Sequence, residues 1–192
     1  MQSILIIAAS GQGKTFFAKR KFVYQKPKVM VFDINNEYFT DMRNSDPKVK
    51  DIVNPRLPDY NPKVKQDRFR VISGSMPEFL TLVSRRSNFN VIIDEATTFF
   101  EGRVTSRGSS MEEKQDLRTL ISRRKHSKNN FVLNFISIED TPPFLLRTAD
   151  KIVLFKTGDS ESTFSGKSMF LKPYYMKLKD MPDHSFLIIP KL

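Results

Sequence analysis

Residues 4–15 constrain this chain more than any other stretch. The apolar run Ile4, Leu5, Ile6, Ile7, Ala8 breaks into a glycine-bearing loop that ends in Gly13-Lys14-Thr15. Strand, tight loop and helix start, in that order, make a phosphate-binding loop. Its backbone N–H groups turn inward and the helix that follows adds a partial positive charge, so a polyphosphate is held without bulky side chains. Ser10, Gly11, Gln12 and Gly13 would cradle the polyphosphate of a nucleotide, Lys14 would reach the β- and γ-phosphates, and Thr15 would offer a hydroxyl to Mg2+. The pattern G-x-x-x-x-G-K-[ST] begins here with Ala8 instead of glycine, while Gly11 and Gly13 keep the tight part of the loop.

Strands and helices alternate from there. Residues 16–22 suit a helix and residues 28–33 a short apolar strand, so the chain reads as α/β, with a mostly parallel central sheet flanked by helices on both faces. Residues 40–67 break the pattern with Pro47, Pro55, Pro58 and Pro62 among lysines, and predict an irregular basic insertion. Residues 68–72 resume as a strand, and Ser75, Pro77 and Glu78 then signal a helix start. In that helix Met76, Phe79, Leu80 and Val83 fall on one core-facing stripe.

The next strand, residues 89–93, ends in Asp94-Glu95. At the C-terminal edge of an open α/β sheet Asp94 would hold the Mg2+ shell beside Thr15, and Glu95 would orient and deprotonate an attacking water. Residues 101–109 are rich in Gly, Ser and Arg and predict a loop. A helix from Ser110 follows, with Leu117, Leu120 and Ile121 as its buried stripe. Arg123, Arg124, Lys125, His126 and Lys128 crowd its end, where cations complement the helix dipole; Arg123 and Arg124 are candidates for more than that. Residues 131–136 and 151–155 read as strands, 157–167 as a polar loop, and 184–189 as a last strand at an edge, within a C-terminal extension over 157–192.

At 192 residues and 39% hydrophobic content the chain has the size of a single domain, 1–192. No apolar run approaches the ~18 residues of a membrane span, so a soluble, intracellular protein without an intrinsic membrane segment is expected. With no cysteine there is neither a disulfide nor a thiolate metal site. The net charge of +11 favours a polyanion such as DNA, bound through its backbone without regard to sequence.

The order of these pieces resembles the FtsK/HerA superfamily of P-loop ATPases, which share a RecA/FtsK-like P-loop NTPase fold, and within it the small genome-packaging ATPases of membrane-containing icosahedral viruses. The features that carry the resemblance are residues 8–15, residues 31–38 (Val-Phe-Asp-Ile-Asn-Asn-Glu-Tyr), residues 92–95, the Arg-Arg-Lys-His helix end, and Thr141-Pro142-Pro143 with Arg147 ahead of residues 152–155. The resemblance implies a ring, usually a hexamer, with ATP between subunits and an arginine donated by the neighbour, for which Arg124 and Arg147 are the candidates. It also implies a capsid or vertex protein as partner and a setting in the host cytoplasm or the virion. Where the family tends to carry a polar sensor, often Gln, this chain has Asn134, Ile136 and Ser137. The leading expectation is an ATP-driven DNA translocase that packages a viral genome, gripping DNA with Arg103 and Arg107 in the loop and Lys63 and Lys65 in the insertion. A filamentous-phage-type assembly or export ATPase, a small nucleotide or small-molecule kinase, and a non-hydrolysing binding module are the alternatives; the Asp94-Glu95 pair and the charge weigh against the kinase.

Overall fold

The computed structural model describes residues 1–23, 28–35, 37–38, 68–71, 76–100, 111–167 and 169–190; the insertion expected at 40–67 lies outside them. Seven strands form one sheet: β1 (Ser3–Ile7), β2 (Val29–Phe32), β3 (Arg68–Val71), β4 (Asn90–Ile93), β5 (Asn130–Phe135), β6 (Lys151–Phe155) and β7 (Phe186–Pro190). Their order is β3-β2-β4-β5-β1-β6-β7, parallel throughout except for β7, which runs antiparallel along β6.

The near-continuous apolar runs of β1, β4 and β5, broken in β5 by Asn134, follow from burial on both faces, as parallel strands require. Leu5 and Ile7 of β1 enter one core cluster and Ile4, Ile6 and Ala8 the other. Each of these leucine and isoleucine side chains taken from water contributes about 1.5–3 kcal/mol.

Among the described residues the two faces are covered unequally. One carries helix α1 (Lys14–Ala18), which runs on as a π-helical turn over Lys19–Val23, and contributes Ala18 and Val23 to the smaller cluster. The other carries α2 (Met76–Ser84), α3 (Ala96–Phe100), α4 (Met111–Ser122) and α6 (Pro143–Thr148), with a short α5 (Arg124–Ser127) between α4 and β5. The expected stripe of α2 is buried at all four positions, and Leu117 and Ile121 do the same for α4. Pro143 opens α6, where its missing N–H costs nothing.

One expectation is overturned. Residues 157–167 are not a polar loop throughout: α7 spans Glu161–Lys167, followed by a 3-10 helix over Met169–Tyr174 and α8 over Tyr175–Asp180. Ser160 starts α7 by accepting the Thr163 N–H on its Oγ at 3.3 Å, and Phe164 pins the helix to the core at 1% exposure. A single apolar residue gives no periodicity to read, so the helix was hidden. The edge strand β7 is where the sequence placed it.

Candidate nucleotide site

The loop leaves the central strand β1 and is stitched to both its neighbours. Ala8 donates its N–H to Phe135 O at 3.1 Å, at the end of β5, and Ala9 donates to Lys156 O at 2.9 Å, just past β6. Gln12 N–H closes the turn on Ala9 O at 3.3 Å. Gly11 and Gly13 hold φ of +79° and +90°, which side chains with a Cβ rarely adopt, so the glycines are needed where they stand. The amides at the start of α1 have no intrahelical acceptor and are oriented for an anion. Lys14 is buried to 7% exposure, and its Nζ lies 3.3 Å from Glu95 Oε1. Thr15 is half-buried beside it.

Asp94 follows β4 directly and donates its N–H to Phe32 O at 3.1 Å, so its carboxyl sits at the C-terminal edge of the sheet. It is fully buried. Strand β5 lies between β4 and β1, and Asn134 on it bridges the gap: it pairs in register with Ile6, while its neighbour Leu133 pairs with Ile93. The Asn134 Nδ2 donates to Asp94 Oδ1 at 2.6 Å and to the Tyr38 hydroxyl oxygen at 3.2 Å. Tyr38 is in turn held by Asp33, whose two carboxylate oxygens accept the N–H groups of Glu37 and Tyr38 at 2.9 and 3.1 Å. Burial pushes the Asp94 carboxyl up to about 6, against the opposing pull of the Asn134 hydrogen bond and the Lys14 ammonium. Burial first, and then the Asp94 charge, raise the Tyr38 phenol well above its usual value.

Two buried oxygens in this network, Asp94 Oδ2 and Asn134 Oδ1, have no hydrogen-bond partner among the described residues. Unsatisfied buried acceptors are costly and call for a partner from outside the protein. Mg2+ fits that demand: it is a hard cation that takes oxygen ligands and keeps several waters, and it is commonly held by one or two carboxylates together with substrate phosphates. Among the described residues no group of three or more His, Cys, Asp or Glu could cage a metal without a substrate.

Glu95 turns the chain from β4 into α3 with φ of +51°, a left-handed conformation that costs a non-glycine residue about 1–2 kcal/mol. Its carbonyl accepts from the Thr98 N–H at 3.1 Å and the Thr98 hydroxyl at 2.7 Å, which hold the turn. The strain thus falls on the residue whose side chain meets Lys14.

The structure therefore brings Ser10, Gly11, Gln12, Gly13, Lys14, Thr15, Asp94 and Glu95 to one edge of the sheet. The two candidate arginines are elsewhere. Arg124 donates from Nε and Nη2 to Asp150 Oδ2 at 3.2 and 3.0 Å and from Nη1 to Ile121 O at 3.1 Å. The same Asp150 oxygen accepts the Ser3 N–H at 2.8 Å, which places the pair at the N-terminal ends of β1 and β6, opposite the phosphate loop. Arg147 is exposed on α6 and shares a groove with Pro190, the β7 residue paired with the first residue of β6. Arg103, Arg107, Lys63 and Lys65 lie outside the described residues. Residues 31–38 and Asn134 carry the resemblance and the sensor position in the sequence, but the link from Tyr38 through Asn134 to Asp94 was not legible there. Its signal was the polar run after β2, an Asp at a strand's C-terminal end followed five residues on by a buried aromatic.

No protein-family profile matches the sequence, and no curated protein does. Solved structures do match. The genome packaging NTPase B204 from Sulfolobus turreted icosahedral virus 2, in complex with AMP, is 16% identical with a TM-score of 0.70, covering 98% of this chain and 92% of that one. Its complex with ATP-gammaS gives 17% identity and a TM-score of 0.69, over 98% and 91%. The pCW3 conjugation coupling protein TcpA, a monomer form with ATPgS, is 12% identical with a TM-score of 0.60, covering 98% of this chain and 57% of that one. At these identities the likeness is one of fold, and the chain has the α/β P-loop NTPase fold of these structures.

Proposed function

We infer that the protein is an ATP-hydrolysing DNA translocase, a subunit of a viral genome-packaging motor. The observation that carries the reading is the convergence of the Lys14 ammonium, the Glu95 carboxylate 3.3 Å from it, and the buried Asp94 at the C-terminal edge of β1 and β4. Solved structures with this fold include a viral genome packaging NTPase with ATP-gammaS and a conjugation coupling protein with ATPgS, which supports the same chemistry here.

In this reading the loop amides and Lys14 hold the triphosphate, and Lys14 offsets the charge that grows on the transferred oxygens. Glu95 orients a water in line with the γ-phosphate and takes its proton on a carboxylate oxygen. Thr15 and Asp94 would hold Mg2+, which would neutralise phosphate charge when bound. Asn134 fixes the Asp94 carboxyl through Oδ1 and leaves Oδ2 for the ligand side.

A guanidinium that completes the charge stabilisation would come from a neighbouring subunit in a ring. Arg147 suits that role better than Arg124, because it is exposed, whereas Arg124 is held by Asp150 and Ile121. Arg103, Arg107, Lys63 and Lys65 supply backbone contacts to DNA, in line with the net charge of +11. A capsid or vertex protein would recruit the ring. The test is phosphate release from ATP with and without DNA, alongside DNA binding at rising salt. Wild type should be stimulated by DNA and lose DNA affinity steeply with salt; Lys14→Ala should abolish turnover yet bind DNA at low salt. Equal turnover in the variant, or transfer of the phosphate to a small-molecule acceptor, would contradict the reading.

A further inference from the structure

Packing does not require a tyrosine at position 38. Its side chain is fully buried, and the other large aromatic side chains buried to that degree, Phe79, Phe131, Phe135, Phe155 and Phe164, are all phenylalanine. A phenol hydroxyl in a core costs free energy unless it is hydrogen-bonded, so packing alone would favour phenylalanine here as well.

The ring is fixed from several sides. Asp33 holds the backbone of the turn after β2 by accepting the Glu37 and Tyr38 N–H groups on its two carboxylate oxygens. The ring packs in the core cluster on the α1 face of the sheet, with Val31 of β2, Ile92 of β4 and Val132 of β5. The Lys19 ammonium, in the π-helical turn that continues α1, lies 5.5 Å from the ring centroid, within reach of its π face. Tyr38 therefore spans from the β2 turn to the helix that begins at the phosphate loop, and its hydroxyl is a fixed point between them.

That hydroxyl meets Asn134, which is itself fully buried on β5. The amide nitrogen of Asn134 carries two hydrogens. One goes to Asp94 Oδ1 at 2.6 Å and the other to the Tyr38 oxygen at 3.2 Å, so both are used. Turned over, the amide would set its own oxygen against the Asp94 carboxylate and forfeit both acceptors. Without the phenol oxygen, one amide hydrogen would be stranded in the core and a single bond to Asp94 would hold the side chain, free to tilt about it. The Asn134 amide is what distinguishes the two Asp94 oxygens, since Oδ1 is engaged and Oδ2 has no partner among the described residues.

We propose that Tyr38 is a positioning residue for the metal carboxylate: its hydroxyl oxygen fixes the Asn134 amide, and the amide holds Asp94 by Oδ1 so that Oδ2 is kept for Mg2+. A residue that orients a metal ligand in this indirect way typically carries about ten- to a hundredfold in metal affinity. The proposal rests on the reading of Asp94 as a Mg2+ ligand, so its test reads metal and nucleotide separately.

Equilibrium binding of a non-hydrolysable ATP analogue would be measured in EDTA and at rising free Mg2+, on the full chain and on Tyr38→Phe, Asn134→Ala, the double variant and Asp94→Ala. Tyr38→Phe keeps the ring and its core contacts, so it folds, and it should bind the analogue in EDTA as wild type does. It should need about ten- to a hundredfold more Mg2+ to reach half of the metal-dependent gain in affinity. Asn134→Ala should shift the Mg2+ midpoint at least as far, and the double variant no further than Asn134→Ala, because Tyr38 acts through Asn134. A wild-type Mg2+ midpoint in Tyr38→Phe or Asn134→Ala, an equal loss in EDTA and in Mg2+, or a double variant worse than Asn134→Ala would overturn the positioning role. An undiminished Mg2+ response in Asp94→Ala would instead overturn the reading of Asp94 beneath it.

Discussion

Asp94, the proposed Mg2+ ligand, shows at the scale of one residue what it costs to hold a carboxyl group in the core. Its folded carboxyl keeps its proton up to about pH 6 because burial disfavours the charge, whereas in the unfolded chain it ionises near pH ~4. Between those values the folded state binds more protons than the unfolded one, so this group's contribution makes stability fall as pH rises through the window and stay level above it. The full cost of holding the charge at neutral pH is about 3 kcal/mol. Asp94→Asn removes that titration. Its stability relative to wild type should rise between pH ~4 and ~6 and then level off, while its ATP turnover is lost. Chemical denaturation of both proteins across pH 4–8 checks this. A stability difference that does not vary with pH would mean the Asp94 charge is not held against its burial.

At the scale of elements, the two candidate arginines separate a structural role from a functional one. Arg124 ties α5 to the start of β6 through Asp150, and its truncation to alanine should cost about 1–3 kcal/mol, read as a lower unfolding midpoint, with turnover per folded subunit kept. Arg147→Ala removes an exposed side chain, so stability should hold while turnover falls roughly a thousandfold if it is the neighbour's arginine. The opposite pattern would exchange the two roles. Elements that bury a whole face were legible: β1, β4, β5 and β6 stand in the sequence as apolar runs, and α2 and α4 as stripes at helical spacing. So were Lys14, Thr15, Asp94 and Glu95, because strand ends and a tight loop fix their place through backbone geometry alone. What stayed hidden depends on contacts between distant segments. Tyr38 meets Asn134 across 96 positions, and His184 meets Gln12 across 172. The helix α7 was hidden for another reason, since Phe164 is its sole buried anchor among the side chains described and one residue has no period.

At the scale of the whole molecule, the site is built on one edge of the sheet and the candidate arginines on the other. Neither candidate arginine lies at its own phosphate loop, so in the proposed reading the guanidinium would come from a second copy oriented head to tail, as in a closed ring. Turnover per subunit should then rise with protein concentration and level off once rings form, and Arg147→Ala should flatten the curve. No helix of the described residues is long and apolar enough to cross a membrane. In the proposed reading Lys14, Asp94 and Glu95 hydrolyse a nucleoside triphosphate, and single-turnover ATP cleavage by wild type and Glu95→Gln at equal nucleotide occupancy tests this most directly. Loss of the base should leave ATP bound and slow cleavage by about a hundredfold or more. Cleavage at the wild-type rate in Glu95→Gln would contradict a role for Glu95 as the base.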